Sequence, residues 1–383
     1  MPNLQRDDLR AANRLLVEAT VGTTDLVDAV HASVLGWPRR IVGLSPQPAS
    51  GGIPGLVYAA IRGIARLAGD GVDLALRQLP AAPGDDAPDP QREALVAALN
   101  GVLGDHLVAT GNPLAIAPSL RKDGRSLALE REALARAFPA ARGGLLVMIH
   151  GLCMNDLQWR QAGHDHGAAL ADALGRDVVH LHYNTGLPIA DNGRALDALL
   201  QALIDAWPVP VERLALVGHS MGGLVARAAI AHAQDTGSGW LAALTDLATL
   251  GTPHHGAALE RAGHLLEQAL GVSAHSAPFA ALGKLRSAGI RDLRHGGAHL
   301  RQPPLPANVR AHVIAGSTAA TSTGTRHPRG DGLVSVASAF GEHRDPRRRL
   351  ALPDDHKRLV HGTGHIALLG SPGVYAQLRA WLA

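Results

Sequence analysis

The chain has 383 residues, 46% of them hydrophobic and 18% charged, which is enough apolar material for a sizeable core and too much length for one minimal domain. Its formal net charge is +3, from 36 Lys and Arg against 33 Asp and Glu, and no aromatic residues are interleaved with basic runs, so a nucleic-acid partner is not expected. A single cysteine, Cys153, rules out an intramolecular disulfide and a thiolate metal cluster.

The N-terminal run MPNLQRDDLRAANRLL is broken by charge every few residues and does not read as a secretory leader. With the lone cysteine, this sets the expectation of a cytoplasmic protein. Gly51 to Leu79 is the most apolar early stretch, but Arg62, Arg66, Asp70 and Asp73 interrupt it well short of the roughly 20 apolar residues of a membrane span. Ile61, Ile64, Leu67 and Leu74 recur near helical spacing and read as a face packed on the body of the protein. The sharper reading has that face contact a membrane or lipid surface. Ala81 to Pro90 is a Pro/Asp-rich linker, and helices are expected over Glu93–Leu103 and Ser126–Phe138. Residues 1–140 are thus expected to form a mostly helical segment, to which the sequence assigns no chemistry.

From Gly144 the pattern changes. LLVMIHG, VVHLHYN (Val178 to Asn184), LALVGHS (Leu214 to Ser220), LATLGTP (Leu247 to Pro253) and VRAHVIAG (Val309 to Gly316) are short apolar runs, the form of buried parallel strands. Helical patterns lie between them, over about Gln161–Leu174, Ala190–Trp207 and Met221–Ala233, with Asp191 or Asn192 placed to cap the second. Strands alternating with helices give an α/β fold, a mainly parallel sheet flanked by helices, over residues 141–383.

Gly218-His219-Ser220-Met221-Gly222 fits G-x-S-x-G between an apolar strand and a helix, the context in which a sharp turn exposes a serine hydroxyl at the positive end of a helix. Such a serine needs a base, and the base an orienting acid. Asp331, in Gly330-Asp331-Gly332-Leu333-Val334, is the favoured acid, with Asp354 and Asp355 as alternates. His365, in Gly364-His365-Ile366 ahead of an apolar run, is the favoured base, and spacing leaves His361 open. One oxyanion donor is expected from the Met221 backbone, the other from the loop after His150-Gly151, with Leu152 ahead of Cys153. Cys153 as a nucleophile is the rival to Ser220, but no Cys-His signature surrounds it. His150, Gly151, Cys153, His219 and His254 are the expected lining of the substrate site. No metal site and no cofactor is expected: the histidines are many, but H-E-x-x-H and related ligand spacings are absent from the sequence.

On these residues the chain resembles lipases and esterases of the α/β-hydrolase superfamily, on the branch of bacterial triacylglycerol lipases and PGAP-like (GPI inositol-deacylase-like) hydrolases. The matching pieces are Ile149-His150-Gly151-Leu152, Gly218 to Leu224, Leu250-Gly251-Thr252-Pro253-His254-His255-Gly256, Gly330 to Val334 and Gly364-His365-Ile366, and the resemblance runs over roughly residues 144–380. It implies a triad of Ser220, Asp331 and His365, an oxyanion hole at Leu152 and Met221, and ester hydrolysis. It also implies that the Gly-Thr-Pro-His segment borders the site and precedes a lid.

Gly256 to Pro306 is an insertion of about 50 residues, too long for a passive loop. Leu259, Ala262, Leu265, Leu266 and Leu270 give it one apolar face, expected as a helical lid or a fixed cap. The reading is a serine hydrolase of carboxylic esters acting on an ester or lipid substrate, with oligomeric state open. The alternatives are acyl transfer or amide or thioester hydrolysis by the same triad, and a docking protein for a membrane or lipid granule whose catalysis is secondary.

Overall fold

The computed structural model describes residues 6–35, 88–257, 287–295, 303–320 and 330–383, together with Ala59, Arg62, Gly63, Arg66 and Asp70. The expected apolar face at Ile61 to Leu74, the linker up to residue 87, and the lid face at Leu259 to Leu270 lie outside these residues. Two compact units divide the chain: residues 1–86 with 110–114, and residues 87–109 with 115–383. In the first, helix α1 (Arg6–Leu35) carries an Asp7–Arg10 pair at 3.2 Å, and Asn112 Nδ2 donates to Ala11 O at 3.3 Å. Among the described residues no helix is long and apolar enough to cross a membrane.

The second unit is an eight-stranded sheet. Its strands in chain order are β1 (Ser119–Lys122), β2 (Arg125–Ser126), β3 (Gly144–Ile149), β6 (Asp177–His182), β7 (Arg213–His219), β8 (Leu244–Leu250), β9 (Arg310–Ser317) and β10 (Lys357–His361); β4 (Arg160–Gln161) and β5 (His164–Asp165) form a separate hairpin. The order across the sheet is β10-β9-β8-β7-β3-β6-β1-β2. Every pairing from β6 to β10 is parallel, and β1 closes the edge antiparallel to β6 and β2. The expected strands are all present, within a few residues of the expected limits. This is the mainly parallel α/β arrangement of the α/β-hydrolases that the sequence resembles.

The core follows from the two-residue period of a strand. Leu145, Val147 and Ile149 of β3 enter one apolar cluster, with Leu214 and Leu216 of β7, against helices α5 (Ile189–Ala206) and α6 (Met221–Thr236). Leu146 and Met148, with Ala215 and Val217, enter the other, against α4 (His166–Leu174) and α9 (Pro372–Leu382). Both faces of the sheet are therefore covered, and its strands read as continuous apolar runs. Helices α2 (Pro90–Ala109), α3 (Arg131–Ala137), α7 (Ala288–His295) and α8 (Val336–Ala339) complete the described set used below.

Three local expectations are corrected. Helix over Ser126–Phe138 is met only over α3, because Asp123 and Gly124, at φ 51° and 77°, turn β1 into β2. Asp-Gly is the pair that a tight hairpin with both central residues at positive φ selects. Helix from Gln161 begins only at His166, because Ala162 and Gly163, at φ 50° and 78°, make the β4–β5 turn, and Asp165 Oδ1 then caps α4 through Ala168 N at 3.1 Å. Neither Asp191 nor Asn192 caps α5. Its N-cap is Pro188, which has no capping side chain, and the Ile189 N–H is instead accepted by Asp292 Oδ2 of α7 at 2.9 Å.

Helices α5 and α6 cross so closely that a Cβ on Gly193 would lie 2.5 Å from the Ala228 Cβ. Gly193→Val is expected to force the pair apart and lower stability by about 1–3 kcal/mol, read as a drop in the urea midpoint with the slope unchanged.

Candidate active site

The functional candidates gather at the carboxyl ends of β3, β7, β9 and β10, where an open α/β sheet builds its ligand sites. Ser220 is the hinge between β7 and α6, held at φ 52°, ψ −122°. A non-glycine residue there is strained by on the order of 1–3 kcal/mol, and such strain persists only where the surroundings fix it. Ser220 N donates to Leu250 O at 2.8 Å, Gly223 N donates to Ser220 O at 3.2 Å, and Thr252 Oγ1 donates to the same carbonyl at 2.9 Å.

The glycines of the motif have a steric reason. A Cβ on Gly218 would sit 2.5 Å from Gly223 N, and one on Gly222 would sit 2.2 Å from Ile149 O. Gly151 lies over the serine itself, where a Cβ would be 3.0 Å from Ser220 Cβ. Backbone atoms cannot yield as side chains do, so the approach of α6 to β3 requires hydrogen at these positions.

Asp331 and His365 come together from separate loops. His365 Nδ1 meets Asp331 Oδ2 at 2.7 Å, and His365 N donates to Asp331 O at 3.0 Å. The other carboxylate oxygen, Oδ1, accepts from Val334 N at 2.8 Å and Leu333 N at 3.0 Å. Burial opposes the Asp331 charge, but the facing His365 imidazole and the two amide donors outweigh it and hold the carboxyl below its usual range. A Cβ on Gly251 would be 3.0 Å from Asp331 Oδ2 and 3.1 Å from His365 Nδ1. Gly251 follows the Leu250 whose carbonyl holds Ser220, so one short backbone stretch joins the serine to the pair. Among the described residues Ser220 Oγ makes no hydrogen bond to His365 in this structure. Apo sites often hold such contacts long.

The rivals go elsewhere. Asp354 pairs with Lys357 at 3.2 Å, fully exposed in a short turn, and His361 ends β10 with no bond to Asp331. Cys153 stands at φ 59° and packs its sulfur under α2, with burial pushing its thiol up to about 12, so it does not supply a thiolate. Its N–H is also taken, donating to Thr185 Oγ1 at 3.1 Å. Leu152 N and Met221 N have no acceptor among the described residues. Of the three expected donor amides, the Leu152 and Met221 N–H groups are thus unengaged and the Cys153 N–H is engaged.

Three more of the expected lining residues are buried histidines. Desolvation lowers both His150 and His219 to about 3, so both are neutral at pH 7. His219 Nε2 then donates to His365 O at 3.1 Å, tying the Ser220 turn to the His365 loop. His150 Nδ1 donates to Gly151 O at 3.0 Å, its ring stacked on Tyr183 at 4.5 Å, which fixes the entry to the Leu152 loop. His254 does not join them. Its ring meets Arg227 Nη1 and Thr249 Oγ1, each at 3.4 Å, on the α6 side of β8.

Sequence reading overlooked Asp156, His182, Arg121 and Glu93. The ligand atoms of Glu93, Asp156 and His182 lie within 4.8 Å of one another, a spacing a metal ion could use. Arg121 Nη1 already bridges the two carboxylates, at 2.7 Å to Glu93 and 3.2 Å to Asp156, so the guanidinium supplies the positive charge there. The four come from α2, β1, β6 and the turn after the Leu152 loop, and no sequence spacing connects them.

Neutral buried histidines make stability depend on pH. The unfolded chain protonates at His150 and His219 near 6.5, whereas the folded chain does so only near 3. Between these values U binds more protons than N, so stability falls as pH falls. Urea midpoints measured from neutral pH down to about pH 4.5 should decline progressively, and His150→Gln should flatten that slope.

Residues 141–277 match the family model of the PGAP1-like alpha/beta domain, a span that holds Ser220, Leu152 and Met221 and ends before Asp331 and His365. A comparison with curated proteins finds no match. Among solved structures, the mature lipase BlEst2 of Bacillus licheniformis is similar at 19% identity over 63% of this chain and 92% of its own, with a TM-score of 0.43. Lipase 1 of Pelosinus fermentans is similar at 13% identity, over 63% and 97%, with a TM-score of 0.41. An esterase of Pyrobaculum calidifontis is similar at 16% identity, over 63% and 77%, with a TM-score of 0.40. Over residues 141–277, then, this chain is similar to the PGAP1-like alpha/beta domain, built on the α/β-hydrolase fold described above.

Proposed function

We propose that the protein is a serine hydrolase of carboxylic esters, with Ser220 as nucleophile, His365 as general base and Asp331 as the acid that orients it. The observation that carries this reading is a strained serine at a strand-to-helix turn, beside a buried Asp–His pair at 2.7 Å. The match of residues 141–277 to the PGAP1-like alpha/beta domain supports it.

The reaction runs in two steps. Ser220 Oγ attacks the ester carbonyl while His365 Nε2 takes its proton. Asp331, bonded to Nδ1, fixes the tautomer that leaves Nε2 free and stabilises the imidazolium. The oxyanion is received by the N–H groups of Met221 and Leu152, which have no acceptor of their own among the described residues. Met221 also begins α6, so the positive end of the helix faces the developing charge. The alcohol leaves with the proton from His365. Water then repeats the attack on the acyl-enzyme and returns Ser220.

Helix α2 is a buttress in this scheme. A Cβ on Gly101 would meet the Cys153 sulfur at 2.2 Å, so the helix lies directly against the loop that carries Leu152. A truncation meant to separate docking from catalysis should therefore keep α2 and remove only residues before it.

The test is hydrolysis of p-nitrophenyl esters from short to long acyl chains, with product analysis in the presence of competing alcohols. Ser220→Ala is expected to lose about 10⁶-fold in kcat and Asp331→Asn about 10⁴-fold. His365→Ala should be as inactive as Ser220→Ala, while His361→Ala keeps activity. Full activity in Ser220→Ala would falsify the proposal, and ester product in place of acid would make the enzyme an acyltransferase.

A further inference from the structure

An oxyanion donor has to be unengaged, and fixed in direction before charge develops. The Leu152 N–H meets the first condition; the second depends on the turn that carries it. Met154 N donates to Gly151 O at 3.3 Å, closing four residues with Leu152 and Cys153 at the centre. Cys153 stands third in that turn at φ 59°, where a type II turn calls for glycine. A side chain there is disfavoured, and the conformation persists only where the surroundings impose it.

Two contacts impose it. The Cys153 sulfur lies directly against α2, where a Cβ on Gly101 would meet it at 2.2 Å, and the Cys153 N–H donates to Thr185 Oγ1 at 3.1 Å. Both residues are buried, so water does not stand in for the hydroxyl. Thr185 is itself on a fixed stretch of chain. Asn184 Nδ2 donates to Gly104 O at 3.0 Å, Asn192 Nδ2 donates to Asn184 O at 3.0 Å, and a Cβ on Gly186 would lie 2.2 Å from Asn100 O. Without the hydroxyl, the Cys153 N–H would be a buried donor with no acceptor, and rotating the Leu152–Cys153 peptide toward the type I form would relieve the strain at Cys153. That rotation turns Leu152 at its own backbone and carries its N–H away.

We propose that Thr185 is a positioning residue of the oxyanion hole. It touches no reacting atom. By accepting the Cys153 N–H it removes the competing donor and locks the turn that aims Leu152 N–H at the oxyanion. The inference rests on the reaction assigned to Ser220 and adds a residue to it.

Thr185→Val keeps the shape and removes the acceptor. With p-nitrophenyl acetate its kcat is expected to fall about 10- to 100-fold, less than the roughly 10²–10³-fold of a deleted oxyanion donor, with KM unchanged. Thr185→Ser should restore the rate. Amides of residues 151–155 should exchange with deuterium about tenfold faster in the valine variant. A wild-type kcat in Thr185→Val, or a loss of kcat with exchange unchanged, would overturn the role of Thr185 while Ser220→Ala stays inactive; an active Ser220→Ala overturns the reaction itself. If the valine variant does not fold, a crystal of the wild type inactivated by a p-nitrophenyl alkylphosphonate decides. The phosphonyl oxygen on Leu152 N, with Cys153 N still on Thr185, supports the proposal, and Cys153 N released to that oxygen sinks it.

Discussion

Between β7 and α6 the chain turns within one residue, and it does so hard against the backbone of β3. A Cβ on Gly222 would approach Ile149 O to 2.2 Å, and one on Gly218 would approach Gly223 N to 2.5 Å. There is no side chain to move aside, so the approach exists only because those positions are glycine. The rest of the site depends on it. The same closeness holds Ser220 at φ 52°, directs the first N–H groups of α6 toward the serine, and brings Gly151, the start of the Leu152 loop, over Ser220 Cβ. The strain at Ser220 is sustained by Leu250, Gly223 and Thr252, each bonded to its backbone.

The histidines divide by what burial leaves them. His150 and His219 lose their charge to desolvation and serve as neutral donors, one shaping the Leu152 loop and the other tying His365 to the Ser220 turn. His365 is equally buried but faces a carboxylate, and it alone among these three has a partner that can stabilise an imidazolium. Position relative to Asp331, not residue type, separates His365 from the two neutral donors. His254 is lowered like these two, by desolvation first and by the neighbouring Arg227 cation.

Much of the framework was legible because it rests on local pattern. Apolar runs of β3, β7, β8 and β9 mark buried parallel strands, and G-x-S-x-G between strand and helix marks Ser220, because both signals arise from neighbours in the chain. The missed pieces fall into two kinds. The β1–β2 hairpin carried a readable signal in Asp123-Gly124 that helix-like flanks obscured. The cap on α5 carried none: Asp292 reaches the Ile189 N–H from α7, a hundred residues away. Asp191 and Asn192 stood where a local cap should stand, but Asn192 is drawn off to Asn184 O, at 3.0 Å.

Sequence alone thus determined the sheet and the strand-to-helix turn that carries Ser220, since these follow from turn sterics and strand period. It favoured His365 over His361 and Leu152 over Cys153 without showing the contacts that separate them. Both choices turn on which atoms are already bonded. Asp331 accepts from His365 across the gap between two strand ends, and Thr185 takes the Cys153 N–H while leaving Leu152 free. Those outcomes belong to the tertiary structure because hydrogen-bond partners and desolvation are set by what is near in space, which a linear order of residues does not contain.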